Sequence, residues 1–247
     1  MSALWALTLR ELKSLWYSPV LYVVGAVFFF LQGLVFYTLL LVLNDPRADA
    51  SLAMSQLFFS TFFYWFAMLV VIPMLTMRTF SEEKRTGSAE LLLTAPVTDA
   101  QVVLSKFLGA WLAYAMLWAG TIVFFAVLRV FTPFDWGPVL SGYLGTLLLG
   151  AALVSLGVLA SSLTRNQIIS GMVAFVALLL LFSIGIMEAF ITDPEQMELI
   201  RYFSLPEHMM NFAKGIIDTR PLVLYASITA VGLFLSGRVI GSPRWRA

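Results

Sequence analysis

Apolar residues run along this chain in six long blocks separated by short polar clusters. The blocks cover residues 20–43, 57–77, 107–130, 139–163, 168–187 and 222–239. As helices rising about 1.5 Å per residue, each is long enough to cross about 30 Å of hydrocarbon. A lipid-exposed backbone must satisfy its own hydrogen bonds, so blocks of this length predict transmembrane α-helices. Ahead of the first block, Trp5, Leu9, Leu12 and Trp16 recur at helical spacing, with Thr8, Arg10, Glu11, Lys13 and Ser14 on the other face. That pattern predicts an amphipathic interfacial helix over 1–18, ended by Ser18-Pro19, a cap and first-turn proline for span one. The expected fold is an all-α polytopic membrane protein: one transmembrane domain over 1–247 with six transmembrane helices.

The polar clusters add two further elements. Residues 78–106 carry most of the charge between spans two and three. Gly87 suits the left-handed turn that ends a helix, Ser88 can cap the next, and Pro96 closes it. Leu91, Leu92 and Leu93 give this short helix an apolar face. Two coverings are open for it, the lipid interface or an apolar groove on a soluble partner. Thr98 and Gln101 then form a capping box that starts span three. Between spans five and six, residues 188–221 form the longest non-spanning stretch. There Ser204-Leu205-Pro206-Glu207 opens a helix whose face is Leu205, Met209, Phe212 and Ile216, expected to lie on or dip into the outer leaflet. His208 in this stretch reads as a surface or interfacial histidine. Within the spans, Pro73 can bend span two, and Trp111, Tyr114 and Trp118 share one face of span three. That face is either packing or the aromatic lining of a candidate substrate path. Span four is rich in small residues, which let helices approach closely.

Composition agrees with this picture. Of 247 residues, 60% are hydrophobic and 12% charged, with mean hydropathy +0.91; a soluble domain carries about twice that charged fraction. With the N-terminus inside, ten Lys and Arg residues fall on the cytoplasmic side and five outside, so both termini are expected to be cytoplasmic. The net charge of +1 gives no reason to expect a nucleic-acid partner. With no cysteine and one histidine, a zinc site is not expected. No Asp, Glu, Lys, Arg or His lies in the span cores, which disfavours a proton-coupled carrier. No G-x-x-x-x-G-K-[ST] occurs and no Ser/His/Asp or paired-carboxylate pattern is visible, so the chain is not read as an enzyme.

The run 73–87, from Pro73-Met74-Leu75-Thr76 through Ser81-Glu82-Glu83-Lys84-Arg85-Thr86-Gly87, followed by Glu90-Leu91-Leu92-Leu93-Thr94-Ala95-Pro96-Val97, resembles the signature loop of ABC-2-type exporter permeases. It is most similar to the gliding-motility, GldF-like branch. The opening Arg10-Glu11-Leu12-Lys13 to Ser18-Pro19 and the stretch 204–218 are similar too, so the resemblance covers nearly the whole chain. It implies a transmembrane permease subunit of an ABC transporter in a bacterial-type inner membrane. The partners implied are a separate ATP-binding-cassette subunit, which would carry ATP and Mg, and a second permease copy, identical or paralogous. It also implies that the loop helix is a cytoplasmic coupling helix: Leu91, Leu92 and Leu93 would dock on the ATPase, Glu82, Glu83, Arg85 and Glu90 would make charged contacts, and Gly87 and Ser88 would set the turn and cap. The alternative kept beside export is a non-transporting module that transmits ATP-driven movement to a large extracytoplasmic partner. Membrane lipid surrounds either.

Overall fold

The computed structural model describes residues 3–44, 50–87, 97–188 and 193–242, and among these it contains helices and no strand. Six helical stretches are long and apolar enough to cross a membrane. They are Pro19–Leu43 (α2), Phe62–Thr86 (α4, Phe62–Thr76, with α5, Ser81–Thr86), Asp99–Phe131 (α6, Asp99–Gly120, with α7, Ile122–Phe131), Trp136–Leu163 (α8), Gln167–Met187 (α9) and Thr219–Ile240 (α12). The all-α polytopic architecture with six candidate spans is therefore as expected. Four further helices dress the ends: α1 (Ala3–Trp16), α3 (Ala50–Ser60), α10 (Pro194–Phe203) and α11 (Leu205–Ala213).

Span four, α8, is the centre of the bundle, and its small residues explain why. A Cβ added at Gly142 would lie 2.4 Å from the Phe59 ring of α3. At Gly145 it would meet Phe212 of α11 at 2.6 Å, at Gly150 Tyr114 of α6 at 2.1 Å, and at Gly157 Thr76 of α4 at 2.2 Å. Four elements thus press a side chain onto a bare stretch of the same helix. A fifth, α12, reverses the relation, with its Gly232 seated on Ser155 of α8, 2.7 Å from a built Cβ to Oγ. Lipid tails are as apolar as leucine, so close packing of this kind, more than apolar burial, holds spans together.

Several elements depart from the hydropathy reading. Span three begins eight residues earlier than the apolar block, at Asp99, because the Thr98–Gln101 capping box forms in both directions. The same span is interrupted at Thr121, whose hydroxyl donates to Trp118 O at 2.6 Å and meets the Tyr143 hydroxyl at 2.7 Å. A side chain bonding back to its own helix competes with the ladder and bends it. Ahead of the second apolar block lies a further helix, α3, which packs on α2, α8 and α11. The helix expected between spans five and six is present, capped by Ser204 and followed by Gly215 at φ 83°. Its face of Leu205, Met209 and Phe212 is buried in the bundle, and only Ile216 stays out. The glycines at 145 and 185 make room for it, and protein covers the face that the sequence assigns to lipid. His208, expected at the surface, is 5% exposed.

Helix α1 also has two faces in use. Trp5 and Trp16 remain about half exposed, as an interfacial helix requires. The side bearing Thr8, Glu11, Leu12 and Leu15 packs on α6, with Glu11 so close to Gly109 that a Cβ there would sit 2.8 Å away.

Candidate functional site

The charged segment after span two is built on a break in the helix. Helix α4 ends at Thr76, residues 77–80 form a tight turn, and α5 begins at Ser81. Pro73 lies inside α4, and Met77 N–H still bonds Pro73 O at 2.8 Å. A break between two helices leaves amides and carbonyls without ladder partners. Here one side chain from α8 supplies them. Ser161 Oγ accepts from Phe80 N–H at 3.0 Å and Ser81 N–H at 3.2 Å, and donates to Met77 O at 3.1 Å. The Ser81 hydroxyl also donates to Met77 O. Ser161 and Phe80 are fully buried, so water does not share these bonds.

A second fastening comes from Lys106 of α6. Its side chain is 2% exposed and lies 2.8 Å from Glu83 of α5 and 3.3 Å from Glu11 of α1, with its ammonium 5.1 Å from the centroid of the Phe80 ring. A lysine is tolerated at such burial only when paired. Removing one member of a buried pair costs about 3–5 kcal/mol, since the rest are left charged and alone. On the outer side of the segment, Arg78 makes a two-pronged pair with Glu82 at 3.0 and 3.2 Å and donates to Ser18 at 2.8 Å. Lys84 donates to the Ser162 carbonyl at the end of α8. Helix α5 is thus tied to α1, the start of α2, α6 and α8 at once.

The α5 helix ends as expected: Gly87 is its C-cap, left-handed at φ 72°. A residue with a Cβ is strained there. Of the charged residues assigned to partner contacts, the structure separates two kinds. Arg85 is exposed and Glu82 partly so, whereas Glu83 turns inward to Lys106. Ser88, Glu90, Leu91, Leu92 and Leu93 lie outside the described residues. The chain leaves α5 at the exposed Gly87 and is described again from Val97, which packs half-buried against the core.

Of the three aromatic residues of span three, Trp111 and Tyr114 turn to α8 and Trp118 turns to α2 and α4. Trp111 Nε1–H donates to Leu147 O and the Tyr114 hydroxyl to Thr146 O, each at 3.0 Å. Trp118 is buried against Phe28 and Tyr64, ring centroids 5.1 and 5.3 Å away. In this conformation the face is closed. Sequence reasoning missed Lys106, Ser161 and Glu11. Lys106 reads as a membrane anchor and Ser161 as loop, and their partners stand 23 to 95 residues away. No group of three or more His, Cys, Asp or Glu suited to a metal occurs among the described residues.

The described residues therefore offer a membrane body of six candidate spans with a fastened charged segment after span two. No curated protein matches it at a significant level. A family model described as ABC-2 family transporter protein matches residues 44–212, well over half the chain and the whole stretch from α3 to α11. By that match the chain belongs to the ABC-2 transporter family, as a membrane-spanning permease component of an ABC transporter.

Proposed function

We propose that this permease exports its substrate by receiving force from a separate ATP-binding subunit through residues 82–93. The observation that carries the reading is the platform under that segment. A coupling element has to transmit displacement, and α5 is bonded to α1, α6 and α8 through Lys106, Ser161 and Lys84. Movement of α5 therefore moves the ends of two spans and the interfacial helix together. In this proposal Leu91, Leu92 and Leu93 seat in an apolar groove of the ATPase, with Glu82, Arg85 and Glu90 around them, while Glu83 serves the platform. ATP and Mg belong to the partner. Two permease copies assemble with two ATPases in an inner membrane with both termini cytoplasmic, and we place the chain in the gliding-motility branch on the run 73–97. The substrate path follows the Trp111–Tyr114–Trp118 face and opens only when α6 and α8 part, breaking the two bonds to Leu147 and Thr146.

The test is Leu92→Asp. An unpaired charge in an apolar groove costs at least ~2 kcal/mol, or roughly thirtyfold weaker binding. Co-purification of the ATPase subunit should fall accordingly while the spans still insert. If Leu91→Asp, Leu92→Asp and Leu93→Asp each keep the partner and its stimulated hydrolysis, the segment is a lipid-facing connector and the proposal fails.

A further inference from the structure

Two hollows lie on the side of α1. One is a polar cleft of about 510 Å³ between α1, the start of α2, the 78–83 segment and α6. The other is an apolar groove of about 320 Å³ between α2 and α6, lined by Trp16, Tyr22, Gly25, Ala26, Phe29 and Met116 among others. Their linings follow one another along both walls. Tyr17, Ser18 and Pro19 line the cleft while Trp16, Leu21 and Tyr22 line the groove. On α6, Ala110 belongs to the cleft and Ala113, one turn on, to the groove. A polar chamber next to an apolar channel, with Trp16 and Tyr22 of the channel lining half exposed, matches the division of an amphiphile into head and tail.

The charges specify the head. The cleft is lined by Arg10, Arg78 and Lys106 against Glu11, Glu82 and Glu83, which sum to zero. Arg78 is held by Glu82, and Lys106 by Glu11 and Glu83. Of the three cations in the cleft, Arg10 makes no direct ion pair among the described residues, its charge only facing Glu83, and Glu82, whose two oxygens hold Arg78, keeps 37% of its side chain exposed. The open positions are therefore one guanidinium and one accessible carboxylate edge. We propose that this paired hollow is a binding site for a glycerophospholipid whose head group carries both a phosphate and a primary ammonium. The phosphate is taken by Arg10 and the ammonium by Glu82, and one acyl chain lies along Ala26, Phe29 and Met116. A lipid seated there packs α1 against α2 and α6 and thereby stiffens the platform under α5.

The experiment uses the full chain with its ATPase partner in phosphatidylcholine nanodiscs doped with a phosphatidylethanolamine that carries a photoactivatable acyl chain. Labelling is mapped to peptides. Label should concentrate between Trp16 and Phe29 and between Ala113 and Leu117, and unlabelled phosphatidylethanolamine should displace it better than phosphatidylglycerol. Ala26 is exposed, so Ala26→Trp fills the groove without touching the core. Blocking the room for two methylenes, about 0.8 kcal/mol each, should cut labelling about tenfold. Arg10→Gln, which loses a charge-assisted bond, should cut it by about tenfold as well. Label spread evenly over the exposed faces of α9 and α12, labelling unchanged by Ala26→Trp, or equal displacement by phosphatidylglycerol would each overturn the proposal. Because Glu82 also stands among the proposed ATPase contacts of residues 82–93, the labelling is repeated with the permease alone, where the same pattern is expected whether or not the ATPase docks.

Discussion

Replacing Ser161 by alanine removes a single oxygen, yet the structure gives that oxygen three bonds across the α4–α5 break. Two are accepted from the backbone amides of Phe80 and Ser81, at 3.0 and 3.2 Å. The third is to Met77 O, which keeps the Ser81 hydroxyl. A buried donor left unpaired costs about 1–3 kcal/mol. Two such donors, with partial relief by a water entering the small void, come to roughly 2–4 kcal/mol. That energy weights against the fastened turn, so local opening should become at least ~30-fold more frequent. Hydrogen exchange reports it directly: the Phe80 and Ser81 amides in Ser161→Ala should exchange faster by that factor. Ser183→Ala, which loses a hydroxyl bonded only to its own helix at Leu179 O, should leave them unchanged. ATPase co-purification should persist, because the docking segment is intact, while stimulation of hydrolysis by the permease falls. Exchange of both amides within about twofold of the parent would refute the reasoning, since unpaired buried donors cannot be that cheap.

Three other expectations follow from the same geometry. Lys106→Met leaves Glu11 and Glu83 facing each other without a cation and should cost about 3 kcal/mol, read as a lower melting temperature and as loss of α1 protection in hydrogen exchange. Gly150→Ala drives a methyl into the Tyr114 ring and should destabilise the bundle by about 1–3 kcal/mol, measured by thermal unfolding in detergent. His208 is held below its ordinary 6.5, chiefly by burial, with Asp218 and a backbone bond at Tyr202 pulling the other way. The unfolded chain therefore takes up a proton before the folded one does. Stability should be intact above about pH 6.5 and decline as pH falls through and below it. Melting curves across that range should show the decline, and His208→Gln should flatten it.

The spans were legible because the bilayer imposes a simple rule: about 20 apolar residues in a row, closed on their own hydrogen bonds. The Thr98–Gln101 box and the left-handed Gly87 were legible because their chemistry is local, settled within four residues. Position within the bundle was not. Leucine and phenylalanine suit lipid and protein interior equally, so periodicity could show that α11 has an apolar face but not that Phe212 rests on Gly145. The same ambiguity put Trp5, Leu9, Leu12 and Trp16 on one functional face of α1, whereas protein contact falls to the side with Thr8, Glu11 and Leu15. The interruption at Thr121 was hidden because Gly120-Thr121 sits in an unbroken apolar run. The platform was hidden for another reason: Lys106 acquires its meaning from Glu11 and Glu83, far away in sequence, and a charge near a span end has an ordinary explanation as an anchor.

The order in which the ribosome delivers these helices gives the crowded surface of α8 a further significance. The side chains that cover Gly142, Gly150 and Gly157 come from α3, α6 and α4, all made earlier, while Phe212 of α11 and Gly232 of α12 arrive later. During synthesis α8 enters the bilayer with some seams already closed and others facing lipid. A chain stopped before Thr219 keeps open the strip around Ser155 that span six would cover. Such a product leaves to lipid a seam that a glycine and a serine otherwise close by direct helix contact. Of the six spans it is the sixth that closes this side of α8, so the packing of the central helix is complete only once Gly232 has arrived.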